Sequence, residues 1–135
     1  MKQDKKAQIP GVDMTFPDGG TGRIWGVSGV NDLRGATFVK AEAYLKERAR
    51  LDEAFEWTIL VDLEFVISSA IAPLVALLRT LKTLADEKPD RRSVVVRWNV
   101  AKSNDAMTRL AEDVEAEFSK AASSTFRLEV SLVDP

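Results

Sequence analysis

Two adjacent serines, Ser68 and Ser69, stand where an apolar, β-branched run gives way to an amphipathic one. Thr58 to Ile67 reads as a strand. After it, Ile71, Leu74, Val75, Leu78, Leu81 and Ala85 recur at the three- and four-residue spacing of one helix face. A hydroxyl at such a junction has two uses. Serine is among the preferred N-cap residues, and on the pattern alone a helix cap is the favoured reading. The amino end of a helix also offers unpaired backbone donors and a partial positive charge, which suit a phosphate. Phosphorylation of Ser68 would add roughly −1.5 to −2 units of charge and three acceptor oxygens. The two uses are compatible.

Other residue sets carry weaker signals. Asp62 and Glu64 lie two apart on one strand and suggest an acid–base pair or a metal pair. Without histidine or a third acid nearby, acids at a sheet edge or paired with a lysine or arginine are the simpler reading. Gly19-Gly20-x-Gly22 lacks the Lys-Ser/Thr ending of a phosphate loop and precedes a strand, so a hairpin turn is expected. Lys88, Arg91 and Arg92 read as a solvated loop. Glu112, Asp113, Glu115 and Glu117 fall largely off the apolar stripe of a late helix, as a solvated face or a partner-binding surface.

Composition narrows the chemistry further. Among 135 residues there is no cysteine and no histidine. This removes disulfides, thiolate metal sites, a cysteine nucleophile, and the commonest general base and serine partner. No cofactor or metal is expected. The net charge of −2 argues against a dedicated nucleic-acid binder. Met1 to Gln8 is polar and lysine-rich, unlike a signal peptide. No apolar run is expected to reach the ~20 residues that span a bilayer, and a cytoplasmic location is the expectation.

The elements that must position the serines follow from periodicity. Residues 1–10 read as a disordered tail and 11–135 as one domain. Val12 to Phe16 and Arg23 to Val30 form a hairpin about Pro17-Asp18-Gly19-Gly20. Asn31-Asp32 caps a helix from Ala36 to Leu51. The continuity of Thr58 to Ile67 predicts a central strand covered on both faces. The next helix tolerates Pro73, read as falling in the first turn, and stops before Pro89. Ser93 to Val100 is a strand. Ser103 or Asn104 then caps a helix with the face Met107, Leu110, Ala111, Val114 and Phe118, and a half-buried strand begins at Phe126. The order β-β-α-β-α-β-α-β predicts an α/β fold with a mixed, mostly parallel sheet.

Three strings in this order give the chain a family likeness. Leu63-Glu64-Phe65-Val66-Ile67-Ser68-Ser69-Ala70 is similar to Leu-x-Tyr-Phe-Asn-Thr-Ser-Ser. Val96-Arg97-Trp98-Asn99 is similar to a strand ending in Trp. Asn104-Asp105-Ala106-Met107, then Leu110-Ala111-Glu112-Asp113, is similar to Asp-Asp-x-Asp-Met followed by Gly-Glu-Asp. In these, over roughly Gly22 to Phe118, the chain resembles the SiaC family of bacterial regulatory phosphoproteins. That family has a STAS-like fold akin to the anti-sigma-factor antagonists.

The resemblance implies a non-enzymatic, partner-switching module. Ser68 stands at the phosphorylated position, with Ser69 as the alternative, and Ser68, Ser69, Glu112 and Asp113 are the partner-contacting residues. The implied partners are an anti-sigma-type serine/threonine kinase, a metal-dependent serine/threonine phosphatase and a diguanylate cyclase that the unphosphorylated form activates. No nucleic acid and no membrane insertion are implied. Ile67, Ala70 and Ala72 replace the family's asparagine, third hydroxyl residue and lysine, and Leu33-Arg34 its early Asn-Ser. Two alternatives stand beside this reading. One is a small-ligand or nucleotide-binding STAS-like module without phosphorylation, the other a small enzyme using Asp62 or Glu64.

Overall fold

The computed structural model of the chain describes residues 9–16, 20–29, 31–51, 54–120 and 123–134. The turn expected at 17–19 and most of the expected amino-terminal tail lie outside these residues. Pro10, which was expected to end that tail, is buried.

The elements are β1 (Gly11–Asp13), β2 (Thr21–Ser28), a 3₁₀ turn (Leu33–Gly35), α1 (Ala36–Leu51), β3 (Phe55–Val66), α2 (Ser68–Asp86), β4 (Arg92–Ala101), α3 (Asp105–Ser119) and β5 (Phe126–Val133). The five strands lie in the order β1-β2-β3-β4-β5. β1 runs antiparallel to β2 in the expected hairpin, and β2 through β5 are parallel. The molecule is thus an α/β protein with a mixed, mostly parallel sheet.

Because the parallel strands are neighbours in chain order, right-handed crossovers put all three helices on the same face. Burial follows that geometry. On β3, Phe55, Trp57, Ile59, Val61 and Leu63 are buried, while Glu56, Asp62 and Glu64 on the opposite face are exposed. The expected cover on both faces is therefore corrected: the other face of the sheet meets solvent. Across it lie Trp25, Leu60, Val95 and Arg97, and Trp25 folds over Gly11, where an added Cβ would sit 2.1 Å from the indole.

Leu74, Leu77, Leu78, Leu81, Leu84 and Ala85 of α2 are fully or almost fully buried, with Ile71 and Val75 half-buried at the margin of the stripe. By length and composition alone α2 is apolar enough to cross a membrane, contrary to the expectation of no such run. Here it packs as a core helix. Pro73 is the sixth residue of α2, beyond the first turn, so the carbonyl of Ser69 has no i+4 amide to accept from.

The bottom of the sheet holds the largest departure from expectation. Arg92 is not in a solvated loop; it is 5% exposed. One guanidinium nitrogen donates to the Leu84 carbonyl at 2.8 Å and faces Glu87 at 3.4 Å. The other donates to the Ala49 carbonyl at 3.0 Å, and the group lies 4.9 Å from the centre of the Phe55 ring. One buried cation thus satisfies carbonyls in the last turns of both α1 and α2, where the helix dipole favours it. Phe55 in turn stacks on Trp57, and Trp57 on Phe16. At the foot of β5, burial alone would raise the Asp86 carboxyl; hydrogen bonds from Lys82, Thr125 and Ser123 outweigh it and hold the group below its ordinary value.

Replacing Arg92 by Leu leaves both carbonyls unpaired inside the protein. Each such group costs about 1–3 kcal/mol, so we expect a loss of about 2–6 kcal/mol in urea unfolding. A loss under about 0.5 kcal/mol would contradict the clamp.

Candidate functional site

Each parallel strand ends at the same end of the molecule, and the next helix begins there. α2 starts directly on β3. Its N-cap is Ile67, in extended backbone (φ −64°, ψ 147°), whose side chain makes no capping hydrogen bond. The N-cap reading of Ser68 is therefore corrected: Ser68 and Ser69 are the first two helical residues, and both are exposed. The Ile67 amide donates to the Ser28 carbonyl at 2.7 Å, and the Ala70 amide to the Ile67 carbonyl at 2.8 Å. Between them, the amides of Ser68 and Ser69 have no partner among the described residues. Two hydroxyls and two open amides thus share the first turn of a long helix.

A buried carboxylate organises the wall behind this turn. Asp32 is 2% exposed. It accepts from the Ser28 hydroxyl at 2.8 Å, from the Thr37 hydroxyl at 2.8 Å and from the Thr37 amide at 3.0 Å. It is the helix cap expected from Asn31-Asp32, reaching α1 across the 3₁₀ turn. That turn presses on the start of α2. Gly35 has φ +68°, and an added Cβ would lie 2.9 Å from Cβ of Pro73 and 3.1 Å from Cα of Ala70. Only glycine meets both demands without strain. Ser28, Asp32 and Gly35 were not singled out as site residues. Asp32 carried a capping signal, but nothing in sequence tied it or Gly35 to Ser68.

The other candidates fall into place around this end. Asn104 caps α3, accepting from the Met107 amide at 3.2 Å, while its side-chain nitrogen donates to the Glu64 carbonyl at 2.8 Å. Of the two caps proposed for this helix, Asn104 is the one used. Glu112 and Asp113 are exposed, roughly two turns down α3, and no hydrogen bond or ion pair joins them to Ser68 or Ser69 among the described residues. Trp98 is fully buried, with an indole nitrogen that has no partner among the described residues.

Asp62 and Glu64 are both exposed, on the central strand rather than a sheet edge. β2 pairs Gly26 with Leu63 and Val27 with Phe65, so Glu64 is the extra residue of a bulge. Asp62 faces the amide of Asn99 at 3.4 Å rather than a lysine or arginine. Among the described residues, no group of three or more acids is placed to hold a metal ion.

A cavity of about 590 Å³ lies at the opposite end, between the carboxyl-terminal halves of α1 and α2. Lys46, Arg50, Lys88 and Arg92 line it, with Glu87 among them. Glu42 and Glu47 pair with Lys46 and Arg50. Along α2 the cavity is about 24 Å from Ser68, at about 1.5 Å per residue. Comparison with family models, with curated proteins and with solved structures gives no match to this chain.

Asp32→Ala removes the acceptor of three hydrogen bonds behind the junction. We expect a loss of about 2–4 kcal/mol, since hydrogen bonds to charged groups contribute about 1.5–3 kcal/mol each and part is regained from water. Native-state hydrogen exchange should show faster opening at the start of α2 in the same variant. Unchanged exchange there would contradict the coupling of Asp32 to the junction.

Proposed function

We propose that the chain is a STAS-like, non-enzymatic interaction module of the SiaC type, whose affinity for a protein partner is set by phosphorylation of Ser68, with Ser69 as the alternative acceptor. One observation carries this reading: an exposed Ser-Ser pair forms the first two residues of a 19-residue helix whose N-cap is the apolar Ile67, directly after the central strand of a mixed, mostly parallel sheet.

The physical chemistry favours a switch without refolding. A phosphoryl group at Ser68 lies beside two open amides and the positive end of the helix dipole. A partner surface that fits the neutral hydroxyl then meets a hydrated group of roughly −1.5 to −2 charge, and the contact is lost. Two replacements in the family-like string bear on this. Ile67 stands at the cap in place of the family's asparagine, so no cap side chain competes for the amides. Ala70 is buried, so the lost third hydroxyl is not missing from the surface.

Glu112 and Asp113 are exposed on α3, a helix that starts at the same end of the sheet, and are the acids proposed to meet the partner. The resemblance supplies the partner classes: an anti-sigma-type kinase, a metal-dependent phosphatase and a diguanylate cyclase.

The test is calorimetric binding to a diguanylate cyclase of the kind such modules activate. Unmodified protein and Ser68→Ala should bind alike, while Ser68→Asp should weaken binding at least about tenfold, equivalent to about 1.4 kcal/mol. The same variant should unfold at nearly the wild-type temperature. A Ser68→Asp protein that binds and activates as well as wild type would sink the proposal.

A further inference from the structure

β5 is an edge strand whose outer side is only partly closed. Its ladder to β4 runs in register from Val94↔Phe126 to Ala101↔Val133. It is flanked by the Val94 amide on the Thr125 carbonyl (2.7 Å) and the Lys102 amide on the Val133 carbonyl (2.8 Å). In a parallel pair every second residue turns both its N–H and its C=O toward the neighbour. Here those residues are Arg127, Glu129, Ser131 and Val133, so Phe126, Leu128, Val130 and Leu132 turn theirs outward.

Two of the four outward N–H groups are taken within the chain. Phe126 donates to the Ser123 hydroxyl at 3.2 Å and Val130 to the Glu115 carboxylate at 3.3 Å. The amides of Leu128 and Leu132 have no partner among the described residues. Their side chains are also incompletely covered: Leu128 and Val130 are half-buried and Leu132 is 45% exposed. A groove of about 190 Å³ runs beside this edge, lined by Glu115, Phe118, Phe126 and Leu128. The opposite edge, β1, is three residues long and offers far less. An edge strand with open donors and no proline or lysine is a template for another strand.

We propose that β5 pairs antiparallel with β5 of a second copy of this chain, about a twofold axis at Val130, joining two five-stranded sheets into one. The open groups select this register. Leu128 of each copy faces Leu132 of the other, so both unpartnered amides find the outward carbonyls opposite them. Leu128, Val130 and Leu132 become one apolar row across the axis. On the other face Glu129 meets Ser131 and Arg127 meets Val133, so no like charges oppose each other. An axis at Leu128 would instead match Phe126 with Val130, whose amides are already bonded, and leave Leu132 in water. Glu115 is the guard of this edge, because its carboxylate must leave the Val130 amide before the pair closes.

Sedimentation velocity over increasing protein concentration tests the proposal. The contact is small, so the wild type should dimerise with a dissociation constant on the order of 10–100 μM. Glu115→Ala should shift the transition to about tenfold lower concentration. Leu132→Lys, at an exposed position, should remain monomeric with unchanged circular dichroism and melting temperature. A wild type and a Glu115→Ala variant that both stay monomeric to about 1 mM overturn the proposal. So does a dimer that survives Leu132→Lys, or an edge that takes up an unrelated extended peptide while the chain stays monomeric.

Discussion

Four parallel strands that are neighbours in both chain and space leave the helices no choice of side. Each crossover must pass over the same face, because a right-twisted strand feeding a right-handed helix returns to the sheet only that way. From this constraint come a single buried layer between sheet and helices, a sheet face left to solvent, and two chemically distinct ends. At one end the strands finish and the helices begin; at the other the helices finish and the strands begin. The first end gathers helix amino termini, and the second gathers helix carboxyl termini.

Each end needs charge of the opposite sign, and the chain places it there. Arg92 is buried among helix carboxyl-terminal carbonyls of Ala49 and Leu84, so a cation sits where the partial charge is negative. Asp32 is buried at the other end, capping α1 and holding the Ser28 hydroxyl. α2 is the exception. Ile67 offers its amino terminus no side-chain acceptor, and the two serines that follow are exposed. A long helix with an unanswered positive end is the part of the molecule most receptive to added negative charge. The place proposed for phosphorylation thus follows from the fold and not from the serines alone.

Much of this was legible in residue patterns, for identifiable reasons. Helix faces with clean three- and four-residue spacing, such as Met107, Ala111, Val114 and Phe118, declare themselves because one buried side is all they need. The hairpin showed through the turn residues. The hidden parts depend on contacts distant in sequence. Arg92 looks like loop composition beside Arg91 and Asp90, because nothing local reveals that Ala49 and Leu84 need a donor. β3 looked buried on both faces because Leu60 and Phe65 add apolar residues to its solvent side; Leu60 is only half-buried and Phe65 is 46% exposed. Glu64 and Asp62 looked like a spaced pair because a bulge cannot be seen without the neighbouring strand. The serines were found at the right junction, one position off as a cap, since extended backbone at Ile67 leaves no mark in the sequence.

The proposed switch is the chemical state of two side chains, and site-resolved mass spectrometry of the protein isolated from its native cells reads that state directly. Phosphate is expected on Ser68, or on Ser69, with an occupancy that changes between growth conditions. Protein that carries no phosphate on either serine under any of these conditions would rule the switch out.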